Sequence, residues 1–315
     1  MSVRFAHLWC VALLSVSQAG CERAEPVDLS PSARVVCLAP ALTHLFVALG
    51  RESLVVGVGQ SDVSAPGTAR VVGTFMDINA EALISLAPTH VVGMFGDLGG
   101  DTRLAALAAS GAFELVSYPY PRSAADVLRL LRPATGTNAQ GDISAVPDLG
   151  TLLGLDRDTR VLAQRVESML AAVVEATGSR PRPRVLMLFD VETLMAAGPG
   201  EVLDDLLTRY AGATNAAEAA SVAAPTFDRE KLVAVNPEVI VLLNPGGPPF
   251  GTVQTDTRLA VLRNLPIAAV RDGRVVEIRD PFVLYPSSSI GRTAALLAQA
   301  VHGPLPALEG ILHAR

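Results

Sequence analysis

The sequence predicts an α/β protein of two lobes, each with a central, mostly parallel sheet flanked by helices, joined by one long rigid linker helix. Three observations carry that expectation. Residues 156–178, DRDTRVLAQRVESMLAAVVEATG, set Val161, Leu162, Val166, Met169, Leu170, Val173 and Val174 at helical spacing, with Arg, Gln and Glu between them. At about 1.5 Å per residue that helix spans roughly 34 Å, enough to cross a domain. Similar sequence lies on both sides of it: RVVCLAP opens at Arg34 and RVLMLFD at Arg184, while EALISLAPTHVV opens at Glu81 and EKLVAVNPEVIV at Glu230. The two spacings from arginine to glutamate differ by one residue, so a strand, an acidic helix start, a short helix, a proline and a second strand occur twice in one order. Finally, strands alternate with helices throughout, the rhythm of parallel sheets covered by helices.

A chain of 315 residues is long enough for two domains. Half of the residues are hydrophobic and 18% are charged, a balance that fills sizeable cores and argues against disorder. The net charge of −6 argues against a nucleic-acid surface, which needs a basic patch.

Residues 1–20 read as an export signal, with Arg4 as the positive start and residues 8–16 as an apolar stretch too short to span a bilayer. Two processing sites compete. Ser17-Gln18-Ala19 suits cleavage before Gly20, and Ala19-Gly20-Cys21 resembles a lipobox in which Cys21 is lipidated, although Gln18 stands where such motifs usually carry Leu. The polar stretch that follows favours the lipid-anchored form, with residues 21–33 as a tether; the other form is a soluble secreted protein with a free Cys21. Beyond the signal, Cys37 remains alone in an apolar strand and reads as a small buried hydrophobe, with no disulfide framework or zinc spacing.

The N-terminal lobe is expected over residues 34–150. Strand 34–38 ends at Ala39-Pro40, and helix 43–49 keeps Leu42, Leu45, Phe46 and Leu49 on one side and stops at Gly50. Strand 54–58, a polar loop at 60–69, helix 80–86 and strand 90–94 follow. A glycine-rich loop at 95–100, helix 102–110, strand 114–118, helix 123–132 and a polar loop at 133–147 complete the lobe. The linker is assigned to 151–180, with Asp156 or Asp158 as its cap, Gly178 closing it, and Pro181 and Pro183 preventing continuation. The C-terminal lobe, 181–303, has strand 185–189, helix 201–210, helix 229–235, strand 239–243, a Gly/Pro loop at 244–251 and helix 259–262. Strand 274–278 follows the Asp272-Gly273 turn, and helix 289–302 closes the lobe. The tail, 304–315, is expected to pack loosely or fray.

Enzymatic patterns are weak. The chain has no GxSxG, GxxxxGK[ST], HExxH or CxxC motif. Ser287-Ser288-Ser289 reads as a helix cap, and Asp204-Asp205 as a solvated face. His90 suits a surface or structural role, and His302 and His313 lie near the end. His44, near a helix start and off its apolar stripe, is the one histidine placed for an axial-ligand role. The several His plus carboxylate of a bare metal-ion carrier are missing. In open parallel sheets ligands bind beyond the strand C-termini. The loops there carry Pro40, Thr43, Phe75, Met76, Phe95, Asp97, Tyr118, Tyr120, Asp190, Gly198, Asn244, Phe250 and Tyr285. This apolar and aromatic set suits a large, mostly non-polar ligand held between lobes.

RVVCLAPALTHLFVALG, VVGVGQSD and VVGTFMDINAEALISLAPTHVV resemble the N-terminal lobe of iron-chelate and vitamin B12 periplasmic binding proteins. AAGPGEVLDDLLTRYAGATNAA, FDREKLVAVNPEVIVL and AVRDGRVVEIRD resemble the C-terminal lobe, so the likeness covers residues 34–302. It implies a monomeric substrate-binding protein that closes modestly on a cobalamin, haem or ferric siderophore and feeds an ABC importer. The protein then carries no cofactor of its own, because the Co or Fe chelate is its cargo. The family's docking residues, one acid per lobe facing arginines of a permease dimer, fall on Glu81 and Glu230, the residues the repeat singles out independently. Haem-binding relatives often carry Tyr beside the glycine before the repeated helix, where this chain has Gly73-Thr74-Phe75; His44, Tyr118, Tyr120 or Tyr285 would have to substitute. A corrinoid or haem is favoured over a siderophore, because no arginine cluster can be placed. The rivals are an enzyme on a similar scaffold, such as a metal chelatase, and a ligand-sensing lipoprotein without a transporter.

Overall fold

Short apolar runs of Val, Ile and Leu build the two sheets, and the central strands Val35–Cys37 and Val239–Asn244 are buried along their whole length. A computed structural model describes residues 32–74, 77–94, 102–132 and 148–313. The expected signal, the lipobox and most of the tether, Phe75, Met76, the loop with Phe95 and Asp97, and the polar loop 133–147 lie outside these. In the first lobe β1 (Val35–Cys37) leads to α1 (Pro40–Ala48), β2 (Val55–Val58), β3 (Arg70–Val71), α2 (Ala80–Ser85) and β4 (His90–Met94). Then come α3 (Thr102–Ala109), β5 (Glu114–Tyr118) and α4 (Ala124–Leu130). The sheet order is β3-β2-β1-β4-β5 with every pairing parallel. Leu42, Leu45 and Phe46 of α1 fill one face of it, and Leu83 of α2 with Leu104 of α3 the other. Helix α1 begins three residues earlier than expected, because Pro40 at its first position supplies a helical φ and needs no N–H partner there.

Helix α5 (Leu149–Leu153) precedes the long α6 (Asp156–Thr177). The 22 residues of α6 join the cores: Ala163 lies in the first lobe's core, while Val166, Leu170 and Val173 lie in the second's. Its N-cap is Leu155, with no side-chain acceptor; Asp156 and Asp158 sit inside the first turn, where a negative charge suits the helix dipole. Gly178 is its C-cap but keeps a right-handed φ of −59°, so the left-handed freedom of glycine is not used.

The second lobe runs β6 (Arg184–Asp190), β7 (Met195–Ala196), α7 (Val202–Asp205), β8 (Thr214–Asn215), α8 (Arg229–Val235) and β9 (Val239–Asn244). It ends with α9 (Ala268–Arg271), β10 (Val275–Arg279), α10 (Ile290–His302) and α11 (Glu309–His313). The order is β10-β9-β6-β7, with β8 also pairing β6; all pairs are parallel except β6 with β7. Strands β7 and β8, two residues each, are too short to leave a periodic signal. The helix expected at 201–210 is α7 widening into a π turn over Leu206–Tyr210, and that at 259–262 is a 3-10 turn over Thr257–Leu259. The tail does not fray over 304–313: Leu305 and Leu308 are 3% and 0% exposed and join the lobe core. Gly291 of α10 lets α6 come close, since a Cβ there would stand 2.8 Å from Met169 Cβ.

The repeat extends to individual hydrogen bonds. Arg34 Nη2 donates to Leu86 O at 2.8 Å and Arg184 Nη2 to Asn236 O at 2.9 Å, 52 residues along the chain in each case. Each arginine thereby satisfies a free carbonyl at the end of the repeated helix. Asn79 Oδ1 accepts from Ala82 N at the start of α2, as Asp228 Oδ1 does from Lys231 N at the start of α8. Both helices leave through a left-handed residue, Ala87 (φ 42°) and Asn236 (φ 39°).

Candidate functional site

The parallel strands of both lobes end toward a common cleft, and two neighbouring cavities open there. One, about 230 Å³, is walled by Tyr120 of the first lobe and by Phe189, Glu201, Leu284, Tyr285, Ile290 and Thr293 of the second. The other, about 300 Å³, lies in the second lobe beyond β6 and β9, against Phe189, Asp190, Glu192, Asn244, Phe250 and Arg258. Phe189 borders both.

Two groups of contacts bind the lobes across the smaller cavity. His44 Nδ1 lies 3.0 Å from Ser287 Oγ and 3.3 Å from Ser288 Oγ, and its ring stands 4.4 Å from that of Phe282. Beside it, Tyr285 Oη accepts from Val63 N at 3.3 Å. Burial holds the His44 imidazole below the usual histidine range, against the pull of Asp280. On the other flank Asp205 Oδ2 accepts from Ala124 N at 2.8 Å, and Arg132 Nη2, just past the end of α4, meets Glu167 Oε2 of α6 at 2.5 Å. Ser287 and Ser288, before α10, therefore meet His44 across the cleft instead of capping a helix; Ser289, at the N-cap position, makes no side-chain cap bond and donates to Tyr285 O at 3.2 Å. Nor are Asp204 and Asp205 a solvated face. Both are half-buried, Asp204 accepting from Asn215 Nδ2 at 2.9 Å and Asp205 tying the lobes.

The sequence-predicted ligand residues divide into three groups. Tyr120, Asp190, Asn244, Phe250 and Tyr285 line the cavities. Pro40, Thr43, Tyr118 and Gly198 do not. Pro40 starts α1, and Gly198 is packed so tightly that a Cβ would sit 2.5 Å from Val222 O. Phe75, Met76, Phe95 and Asp97 lie outside the described residues. Asp190 accepts from Glu192 N and Thr193 Oγ1, both at 2.8 Å, and these bonds hold its carboxyl below the usual range. Asn244 organises the loop after β9, accepting from Gly247 N at 2.6 Å and donating to Glu277 Oε1 at 2.5 Å. Arg258 stacks 4.2 Å above the Phe250 ring and pairs with Asp256 at 2.6 Å.

Beneath the first lobe's cleft surface lies a polar group without hydrogen-bond partners among the described residues: Thr43 Oγ1, Asp62 Oδ2, Ser64 Oγ and Tyr118 Oη. Burial raises the Asp62 carboxyl and the Tyr118 phenol above their usual ranges and pushes the neighbouring Cys37 thiol up to about 12. That thiol is inert.

Residues 35–281 match the periplasmic binding protein family. The chain belongs to that family. It is a family of substrate-binding proteins and not of enzymes. No curated protein matches the sequence. Among solved structures, periplasmic binding proteins share its fold. The haem-binding RhuT of Roseiflexus sp. RS-1 is 24% identical over 86% of this chain and 100% of its own, with a TM-score of 0.67. The haem-binding HutB of Vibrio cholerae is 19% identical over 86% and 99%, at 0.68. The vitamin B12-binding BtuF of Vibrio cholerae is 17% identical over 85% and 96%, at 0.60.

For a periplasmic binding protein, sequence reasoning omitted several wall residues, Glu192, Ile290 and Thr293 among them. Phe189 ends a foreseen strand and was legible as a strand terminus. Glu201 and Leu284 have no local signal, and Arg258 is drawn in only by its stacking on Phe250. Glu201 is half-buried, and burial raises its carboxyl against the nearby charge of Arg122.

Proposed function

We propose that this protein is the substrate-binding component of an ABC importer, capturing a metal chelate between its lobes and delivering it to a membrane permease. A corrinoid or haem is favoured, with a ferric siderophore as the lesser alternative. The observation that carries this reading is the inter-lobe cavity, where Tyr120 faces Phe189, Leu284 and Tyr285 in an apolar, aromatic wall. Among the described residues lining the two cavities the only cation is Arg258, and it is engaged by Asp256 and Phe250. Recognition by this wall then rests on stacking against a macrocycle face more than on pairing with ligand charge. Two of the structural relatives are named for haem and one for vitamin B12, which supports the same class.

The cavity of about 230 Å³ is smaller than the usual ligand pocket of about 300–1,000 Å³. A macrocycle therefore enters only when the lobes part, which breaks the His44–Ser287 and Tyr285–Val63 contacts while α6 remains the hinge. If the cargo is haem, Tyr120 is its axial ligand. Tyr118 is 3% exposed, the Tyr285 hydroxyl is already engaged and His44 lines neither cavity, whereas Tyr120 is 46% exposed on the cavity wall.

Absorbance titration of the protein with haemin, cyanocobalamin and a ferric hydroxamate tests this. A shifted Soret band lost in Tyr120→Phe assigns haem and its ligand; saturable cyanocobalamin binding assigns a corrinoid carrier. Binding of none of the three overturns the substrate class. Glu81 and Glu230, both exposed, are the docking residues of this reading, and charge reversal at the pair should abolish uptake with chelate affinity intact. Residues 1–20 export the chain and Cys21 carries its lipid, so palmitate labelling should disappear in Cys21→Ala. Among the described residues no helix is long and apolar enough to cross a membrane.

A further inference from the structure

Beside each docking carboxylate stands an apolar side chain that neither packing nor helix propensity explains. Ile84 of α2 is 48% exposed and Val233 of α8 is 39% exposed. Each follows its glutamate by three residues, so carboxylate and apolar group share one helix face. The residues before them, Leu83 and Leu232, are both 0% exposed and fix the rotation of each helix, which turns the next side chain outward. β-Branched residues are mediocre helix formers, and an exposed one on so short a helix adds little stability. Singly exposed apolar residues are ordinary on protein surfaces. A pair at the same register of two helices, with the same capping geometry and the same arginine clamp, is not.

Topology places the two patches alike. Helices α2 and α8 each run back into a strand parallel to its sheet neighbours, so both helix starts lie at the C-terminal edge of a sheet, level with the cleft. We propose that the docking surface is a pair of matched acidic–apolar patches, Glu81 with Ile84 and Glu230 with Val233. The partner is a permease dimer presenting, on each half, a cation beside an apolar socket. The proposal rests on the importer reading above and adds to it the apolar half of the contact. The carboxylates set approach and orientation, and the apolar pair holds the complex once formed. The two halves differ in charge. Glu230 has Lys231, paired with Asp228 at 3.5 Å, as its neighbour, whereas Glu81 stands between Ala80 and Ala82, so the first lobe carries more of the salt dependence.

The test uses the full-length protein and the permease with which it reconstitutes chelate uptake in proteoliposomes, measuring association and dissociation rates at several salt concentrations. Ile84→Ser and Val233→Ser should each raise the dissociation rate about fivefold, and the double variant about 25-fold, as expected for loss of buried apolar contacts. Their salt dependence, melting temperature and chelate affinity should stay as in the parent. Glu81→Gln and Glu230→Gln should instead slow association and flatten its salt dependence. Serine variants that dissociate like the parent, beside impaired glutamine variants, overturn the apolar pair and leave carboxylate docking standing. Parental behaviour in all four overturns both. Sedimentation of the protein alone covers the remaining occupant: self-association lost on Ile84→Ser or Val233→Ser makes a second copy the partner and overturns the permease assignment.

Discussion

In the N-terminal lobe one edge of β1 is covered by a single parallel strand, β2, from Val35 beside Val55 to Cys37 beside Val58. In the C-terminal lobe the corresponding edge of β6 is divided. Strand β8 pairs in parallel at Arg184 and Val185, and β7 pairs antiparallel at Leu188 and Asp190, the cleft end. The opposite edges agree, with β4 and β5 in one lobe and β9 and β10 in the other, all parallel. The lobes thus share the half that carries α2 and α8 and differ at the other edge of the central strand. Folding back through β7 puts Asp190 and Glu201 at the cleft, and its cost is visible in the left-handed Leu194 (φ 52°). A repeated half suits a partner with two equivalent halves, and an unrepeated half suits an asymmetric cargo.

Breaking the turn on each side should have the largest effect. Gly73 has φ +123°, and a Cβ there would meet Asp77 O at 2.4 Å, so Gly73→Ala should cost about 3 kcal/mol in urea unfolding. Gly198→Ala, crowded by Val222 O at 2.5 Å but with an ordinary φ, should cost about 2 kcal/mol. Equal costs would show that strain at the cleft is shared evenly. Next, Asp205→Ala removes the acceptor for Ala124 N across the lobes and should cost about 1–2 kcal/mol. Chelate affinity should change with it, because the same bond closes the cleft. The helix clamps come third: Arg34→Ala and Arg184→Ala should each cost about 1 kcal/mol, with Arg34 slightly the larger because it donates through Nε as well as Nη2. A cost in only one lobe would confine the repeat to geometry.

The smallest effect is that of pH. Burial holds His44, His90 and His302 below the ordinary histidine value of 6.5, so each binds its proton more readily in the unfolded chain. Stability is then fully present above pH 6.5 and falls as the pH drops below it. Asp62 and Glu201, raised by burial, act in the opposite sense: their stabilising protonated forms are lost as pH rises through the carboxylate range. Between that range and pH 6.5 the histidines decide the sign. Melting temperatures from pH 7.5 downward check this, and His44→Gln should reduce the slope.

Periodicity and repetition were enough for the frame. Strands His90–Met94 and Glu114–Tyr118 and helix Arg229–Val235 were legible residue for residue, because buried parallel strands are unbroken apolar runs and a helix start announces its cap. The two-residue strands β7 and β8 were not, since a pairing that short is selected by its neighbours and leaves no period. Of the cleft, the aromatic residues at strand ends were legible as a class. His44 could be placed near the loops, but its partner Ser287 lies 243 residues away, and no local pattern encodes a contact at that separation.

The sequence by itself determined two α/β lobes, the helix between them and the paired positions of Glu81 and Glu230, because each is a local matter of period, cap and repeat. Only the tertiary structure decided which loop residues face the cleft, which serines meet His44, and that Asp205 ties the lobes. Those outcomes follow from how two sheets twist and dock on α6, and that geometry is a property of the packed molecule, not of any segment within it.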